Sequence, residues 1–427
     1  MVSNEMNDKI VITGFGLVSS LGLNTQETWE ALLSGKHGIR PIGDAHVRGF
    51  PCEAAALVHG LDPEGLGIHP RDARIMDKHS LMLMKASKDA FKHAHLDSSS
   101  ITPDEVGFFA GMGMVDYSIE DLLPAVMKSM YPQGNPDYGA FYSGGYQDIY
   151  PLWPLSMLNN ISFCQAAINL GIKGENTVFS PHADSGAQAV IEGMNTIAEH
   201  KAMAVLAGGV SEKVSPLSLA RATWFGILNG EDTLCRPFGA GRTGTVLGEG
   251  SGMIILEHQS SAKKRHAPYY AAITGYGCAF DKNDAARCPT ASAESRSMEQ
   301  ALAKAGIEPF DIDVIIAHGD GTHMGDKNEI EAIHYTFNTC LDKIHVYSSK
   351  GSLGHLLAGA PAVDVILTIH MLQHGIIPMI PGTYPVDPGL RFNLVNSKPV
   401  KASVKRVLIN ATSYEGQCVS LIIEKAD

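Results

Sequence analysis

The sequence predicts an α/β protein assembled from two diverged copies of one unit. Three observations carry this. KIVITGFG (9–16) and YAAITGYG (270–277) share an I-T-G-aromatic-G core, each reading as a buried strand that ends in a glycine-rich turn. A second echo follows in each half. LMKASKDAFKHA (83–94) precedes TPDEVGFFAG (102–111), and SMEQALAKAG (297–306) precedes PFDIDVIIAHG (309–319). Both are an amphipathic helix, a polar turn with proline and aspartate, then an apolar strand ending in glycine. Third, strands alternate with helices along the chain, the pattern of layered, largely buried sheets. The first copy is longer by about fifty residues, which implies an insertion over roughly residues 20–75.

The remaining elements fall in order. Residues 130–152 (MYPQGNPDYGAFYSGGYQDIYPL) are rich in Gly, Pro and Tyr and read as a long ordered loop. After Ala183, the apolar residues Ala187, Val190, Ile191, Met194, Ile197 and Ala198 form a helical stripe. MAVLAGG (203–209), GMIILE (252–257), IHVYSS (344–349), VKRVLIN (404–410) and CVSLIIE (418–424) read as short strands bounded by turn signals. The polar stretch HQSSAKKRHAP (258–268) marks the boundary, giving halves 1–257 and 258–427.

Composition narrows the function. A net charge of −12 argues against a general nucleic-acid binder, which needs a basic face. The seven cysteines are odd in number and show no CxxC spacing, so neither zinc nor a disulfide framework is expected. Reduced thiols in a cytoplasm are the simple reading. The start, MVSNEMNDKIVITGFG, lacks the basic and apolar regions of a signal peptide, and no apolar stretch is long enough to cross a bilayer. GAGRTG and GEGSG match neither a P-loop nor a dinucleotide fingerprint and read as tight turns. Turn glycines between His318 and His323 speak against a metal site.

TVFSPHADSGAQ (177–188) places Ala183 at a strand-to-helix turn where an acyl-transfer nucleophile is expected. AHGDGTHMGD (317–326) and SSKGSLGHLLAG (348–359) read as the histidine and lysine partners of such a nucleophile. Together with VITGFGLVSSLG (11–22), ETWEALLSGKHGI (27–39) and RPFGAGRTGTVLGEGSGMIILE (236–257), these segments resemble the β-ketoacyl synthases of the thiolase superfamily over nearly the whole chain. The resemblance implies a thiolase-like, five-layer αβαβα fold from two duplicated halves, and a dimer. It also implies a cysteine at the amino end of a buried helix that takes an acyl chain from an acyl carrier protein. Two histidines then assist malonyl decarboxylation and stabilise the oxyanion.

By that resemblance Ala183 holds the cysteine position, His318 and His355 are the histidines, Lys350 is the supporting lysine and Asp364 its acidic partner in a buried ion pair. Glu249 lies in the G-E-G segment. The departures are as informative. Ala183 has no nucleophilic atom. Asp320 replaces a threonine of the family's HGTGT. In NATSYEGQC (410–418) Tyr414 stands at the gating phenylalanine's position and Glu415 at a glycine. His182 is set aside as a substitute nucleophile, because its side chain is expected to point away from that of residue 183.

This set of losses resembles the chain-length factors of type II polyketide synthases, ketosynthase-like subunits that lack the cysteine and help shape the elongation tunnel. The resemblance implies a heterodimer with a cysteine-containing homologue, an acyl carrier protein bearing malonyl or polyketide chains, and no cofactor. Met114, Trp153, Asp320, Thr322 and Tyr414 are the tunnel and gate candidates. Two alternatives stand beside this reading. With both histidines present, the chain could decarboxylate malonyl-acyl carrier protein to supply acetyl starters. It could also be a purely structural ketosynthase partner.

Overall fold

The computed structural model describes residues 8–43, 47–116, 119–156, 158–230, 233–283 and 287–426. The first half supplies β1 (Ile10–Ser19), β2 (Val106–Met112), β3 (Asn176–Phe179), β4 (Ala204–Val210) and β5 (Gly250–His258). The second supplies β6 (Ala271–Phe280), β7 (Val314–Ile316), β8 (His345–Tyr347), the edge strand β9 (Asn393–Leu394), β10 (Arg406–Thr412) and β11 (Gln417–Lys425). Their order across one 11-stranded sheet is β9-β8-β7-β10-β11-β6-β1-β5-β4-β2-β3. Setting β9 aside, each half runs first-fifth-fourth-second-third. The directions repeat too. First–fifth and fifth–fourth pairs are antiparallel; fourth–second and second–third pairs are parallel. A short seam joins the copies, Ile10–Ile12 of β1 against Ala271–Ile273 of β6.

The principal helices are α1 (Thr25–Leu33), α2 (Lys78–His93), α3 (Asn159–Leu170), α4 (Ala183–Ala198), α5 (Pro216–Phe225), α6 (Ala291–Ala305), α7 (His323–Thr336) and α8 (Ala360–His374). α2 and α3 cover the first-half strands from outside, and α6, with α7 packed on it, covers the second-half strands. α4 and α8 lie against each other and touch strands of both halves. The layers are therefore αβαβα, a thiolase-like ketosynthase fold. In α8, all residues from Ala360 to Leu372 are buried, as a helix apolar all round requires.

The repeated I-T-G has a physical cause. The register of β1 on β5 slips between Ile12 and Gly14, at Thr13. The register of β6 on β11 slips between Ile273 and Gly275, at Thr274. Each slip is a bulge that bends the strand. Each glycine then seats a helix: a Cβ at Gly14 would lie 2.6 Å from the Ala90 carbonyl of α2, and one at Gly275 would lie 2.3 Å from the Ala301 carbonyl of α6. The insertion is also present, since residues 20–77 link β1 to α2 where residues 281–290 link β6 to α6.

Two readings need correction. Residues 130–152 are not all loop. They include the helical turn Tyr138–Ser143, because the Asp137 carboxylate accepts from the Ala140 N–H (3.0 Å) and caps it. The strand expected over 344–349 is shorter, since the chain turns at Ser348 and enters a helical turn at Lys350. Among the described residues no helix is long and apolar enough to cross a membrane.

Candidate active site

The site begins where β3 ends and α4 starts. His182 is the N-cap residue, extended at φ −94° and ψ −176°, and its carbonyl accepts from the Ser185 N–H (3.1 Å) and Oγ (2.6 Å). Ala183 is the first helical residue and only 2% exposed. Free N–H groups and the helix dipole concentrate positive character at this point, which would favour a thiolate. A methyl group cannot use it. One turn further, a Cβ at Gly186 would lie 2.2 Å from the Ala358 carbonyl, so glycine lets α4 press against the segment that follows His355.

The two histidines face each other edge to face, with ring centroids 5.2 Å apart. Each is aligned by a backbone donor. The Thr412 N–H donates to His318 Nδ1 (3.2 Å), and the Leu357 N–H donates to His355 Nδ1 (3.2 Å). Nδ1 is thus an acceptor in both rings, so in the neutral tautomer Nε2 carries the proton in both. Burial first, then the Lys350 charge, hold both imidazoles well below the ordinary histidine range. The pair consists of two neutral rings presenting Nε2–H donors, the arrangement an enolate or tetrahedral oxyanion needs. His355 Nε2 has no partner among the described residues.

The histidine loop is fixed by charge buried beneath it. The Glu329 carboxylate on α7 accepts from the N–H groups of His318 (2.8 Å) and Gly319 (2.7 Å) and from Asn410 Nδ2 (3.1 Å). Lys350 Nζ donates to the His318 carbonyl. The ion pair expected between Lys350 and Asp364 is not formed, because Lys350 spends its ammonium on that carbonyl and no contact within 4 Å joins it to Asp364. Lys350 still acts on Asp364 at longer range. Burial pushes the Asp364 carboxyl up to about 6, against the pull of Lys350 and a hydrogen bond from Ser349. Asp320 turns onto Thr322, accepting from its N–H (2.8 Å) and Oγ1 (2.7 Å), while Oδ2 lies 3.9 Å from His318 Nε2. Thr322 in turn caps α7 through the Gly325 N–H (3.1 Å). Glu249 holds the N–H groups of Val58 (2.9 Å) and Val214 (3.0 Å) and pairs with Lys78, a structural duty.

The opposite wall is aromatic. Tyr414 sits in the tight turn between β10 and β11, 6% exposed, and packs against Phe225 (5.9 Å, 24°), His182 (6.2 Å) and His355 (6.1 Å). Beside it a cavity of about 30 Å³ remains, walled by Pro181, His182, Phe225 and Leu357. That is room for one water. A larger cavity of about 460 Å³ continues from the same side chains past Met114, Leu217 and Trp224. His182 therefore lines both cavities, and its Nε2 lies 3.5 Å from Glu415 Oε1.

Sequence reasoning missed Phe225, Glu329 and the His182–Glu415 contact. Nothing local signals Phe225 or the His182–Glu415 contact, since each acquires its role from a segment distant in the chain, and Glu329 looks like an ordinary helix glutamate until α7 folds back under the His318 loop. Of the tunnel candidates, Met114 lines the 460 Å³ cavity and Trp153, which opens the short helix Trp153–Ser156, does not.

Comparison with known proteins fits this geometry. The beta-ketoacyl synthase N-terminal domain matches residues 7–262, and the C-terminal domain matches residues 270–383. The chain belongs to the beta-ketoacyl synthase family. Among ketosynthases it is similar to 3-oxoacyl-[acyl-carrier-protein] synthase 2 of Staphylococcus aureus (strain COL), 28% identical over 426 residues and 99% of both chains. It is equally similar, at 28%, to the synthase 2 of Coxiella burnetii (strain RSA 493 / Nine Mile phase I), over 98% of both. Two solved structures superpose closely. The ishigamide ketosynthase/chain length factor gives a TM-score of 0.85 at 27% identity, covering 98% of this chain and all of that one. A beta-ketoacyl synthase from Burkholderia phymatum STM815 gives 0.84 at 27% identity, with the same coverage.

Proposed function

We propose that this chain is a non-nucleophilic, chain-length-factor-like subunit that pairs with a cysteine-bearing ketosynthase and shapes the tunnel for a carrier-bound polyketide chain. The observation that carries the reading is Ala183 at the amino end of α4, where covalent loading requires sulfur or oxygen. Tyr414 supports it, since only about 30 Å³ of space remains beside its ring, next to His182. The similarity to a structure titled ketosynthase/chain length factor supports it as well. The relatives that are 3-oxoacyl-[acyl-carrier-protein] synthases support an acyl carrier protein as the source of the chains. Met114, on the open cavity, is the tunnel residue we favour; Trp153 is proposed as a wall residue nearer the partner. The chain needs no cofactor for this role.

One observation favours a second reading. The paired Nε2–H donors of His318 and His355 suit malonyl decarboxylation, which needs enolate stabilisation and no thiolate. Asp320 at 3.9 Å from His318 Nε2 and the closed pocket oppose it. A direct test incubates the purified chain, alone and with a ketosynthase partner, with malonyl-loaded carrier protein. The proposal expects neither acylated chain nor carbon dioxide from the chain alone. It expects elongation in the mixture, with shorter products when Met114 is replaced by tryptophan. Rapid carbon dioxide release by the chain alone, abolished in His318→Ala, would select the decarboxylase.

A further inference from the structure

Among the described residues, nine wall the cavity of about 460 Å³ beside the candidate active site. Six are apolar: Met114, Pro181, Leu217, Ala220, Trp224 and Phe225. The other three, His182, Arg221 and Glu415, are polar but spoken for. Arg221 donates through Nη2 to Glu212, and His182 Nε2 lies 3.5 Å from Glu415 Oε1. The surface that the nine present to the cavity is almost wholly apolar carbon. The cavity at His37, Arg40 and His59 is the contrast, with a far larger share of nitrogen and oxygen in its lining. Met114 and Trp224 are 41% and 76% exposed, so the wall reaches solvent and a guest can enter without unfolding it.

Such a wall sorts guests by oxidation level. A methylene that leaves water for it gains the full benefit of apolar burial. A keto oxygen loses its hydrogen bonds to water and finds none in return. A poly-β-ketone carries a carbonyl at every second carbon, so the loss recurs along the chain. The donors suited to a carbonyl are the Nε2–H groups of His318 and His355, and neither histidine lines this cavity. His355 packs on Tyr414, whose ring walls the small 30 Å³ space instead. One thioester carbonyl can therefore be served at the histidine pair, while carbonyls further along the chain cannot be served in the larger cavity.

We propose that this cavity receives a reduced, hydrocarbon segment of the carrier-bound chain and discriminates against a poly-β-ketone. The proposal rests on the chain-length reading for its setting: that reading makes this subunit a tunnel wall, and the lining then fixes the class of chain the wall accepts.

The test is calorimetric titration of the full chain with the N-acetylcysteamine thioesters of octanoate and 5-oxooctanoate, which differ by one keto group in place of a methylene. Saturable binding of the octanoyl thioester is expected, with the 5-oxo thioester roughly tenfold weaker. Two variants place that binding in the cavity. Met114→Trp fills it and should weaken the octanoyl thioester roughly tenfold. Leu217→Gln adds an amide donor to the wall and should narrow the gap between the two thioesters to about threefold or less. Neither residue is fully buried, and thermal unfolding verifies that both variants fold. Absence of saturable binding to the wild type overturns the proposal. So does equal affinity for the two thioesters, octanoyl affinity unchanged in Met114→Trp, or a gap that Leu217→Gln leaves as it was. The chain-length reading fails separately. If Met114→Trp shortens products in the ketosynthase mixture while both thioesters bind alike, that reading stands and the hydrocarbon preference falls. If product length is unchanged while the tenfold preference holds, the preference stands as a property of the cavity and the chain-length reading falls.

Discussion

The two walls of the candidate active site have been kept by different forces. On the histidine side, polar groups hold polar groups: Glu329 takes three donors, Lys350 takes a carbonyl, and backbone N–H groups fix both imidazoles. On the nucleophile side, the contacts are those of packing. Ala183 offers a methyl, and Tyr414, Phe225 and His182 fill the space with rings. A network of buried charge cannot lose one member cheaply, because the others are left unmet. An apolar wall can change its residues as long as volume is conserved. The contrast explains how both histidines can outlast the nucleophile they would serve.

The largest effect should come from breaking the polar wall. Glu329→Ala removes the acceptor of three buried donors, His318 N–H, Gly319 N–H and Asn410 Nδ2. Each orphaned donor costs about 1 kcal/mol or more, so a loss of roughly 3 kcal/mol is expected. Urea unfolding of the variant beside wild type measures it. A loss below that of an ordinary surface substitution would show that the network is not what holds the wall.

How much of this was legible beforehand follows the same divide. The duplication was visible because a bulged threonine and a helix-seating glycine leave a local signature, I-T-G-aromatic-G, in both copies. Ala183, His318, Lys350 and His355 were visible because their segments resemble family motifs, Ala183 at a strand-to-helix turn and the other three beside glycines. Residues that act across the fold were not. Glu329 reaches His318 from the next helix, and Phe225 reaches Tyr414 from 189 positions away in the chain (414 − 225). Lys350 and Asp364 were expected to pair from the family resemblance, but which carbonyl a flexible ammonium reaches is decided by tertiary structure. The helical turn Tyr138–Ser143 was hidden by its glycine and tyrosines, and only the Asp137 cap marked it.

A smaller effect lies under the polar wall. Asp364 titrates at about 6 in the folded chain against 3.8 for an unperturbed carboxyl, mainly through burial. The folded state then holds a proton that the unfolded state has released, so this group's contribution to stability falls as pH rises from about 4 to about 6. Between pH 5 and pH 7.5 the shift amounts to roughly 1 kcal/mol of lost stability. Asp364→Asn should remove that dependence. Urea unfolding at the two pH values, wild type beside variant, reads it directly, and parallel pH profiles would show that Asp364 is ionised without penalty.

The smallest effect sharpens the comparison from the aromatic side. The Tyr414 hydroxyl is buried and has no hydrogen-bond partner among the described residues, while its ring packs on Phe225, His182 and His355. If this wall is held by packing, the hydroxyl is a burden and the ring is what matters. Tyr414→Phe keeps the ring and removes the unmet group, so it should leave stability unchanged or raise it by about 1 kcal/mol. A destabilised Phe variant would mean that the hydroxyl has a partner in solution, such as a water in the 30 Å³ space beside it. The aromatic wall would then share the polar logic of its opposite, and the division between the two would fail at its most exposed point.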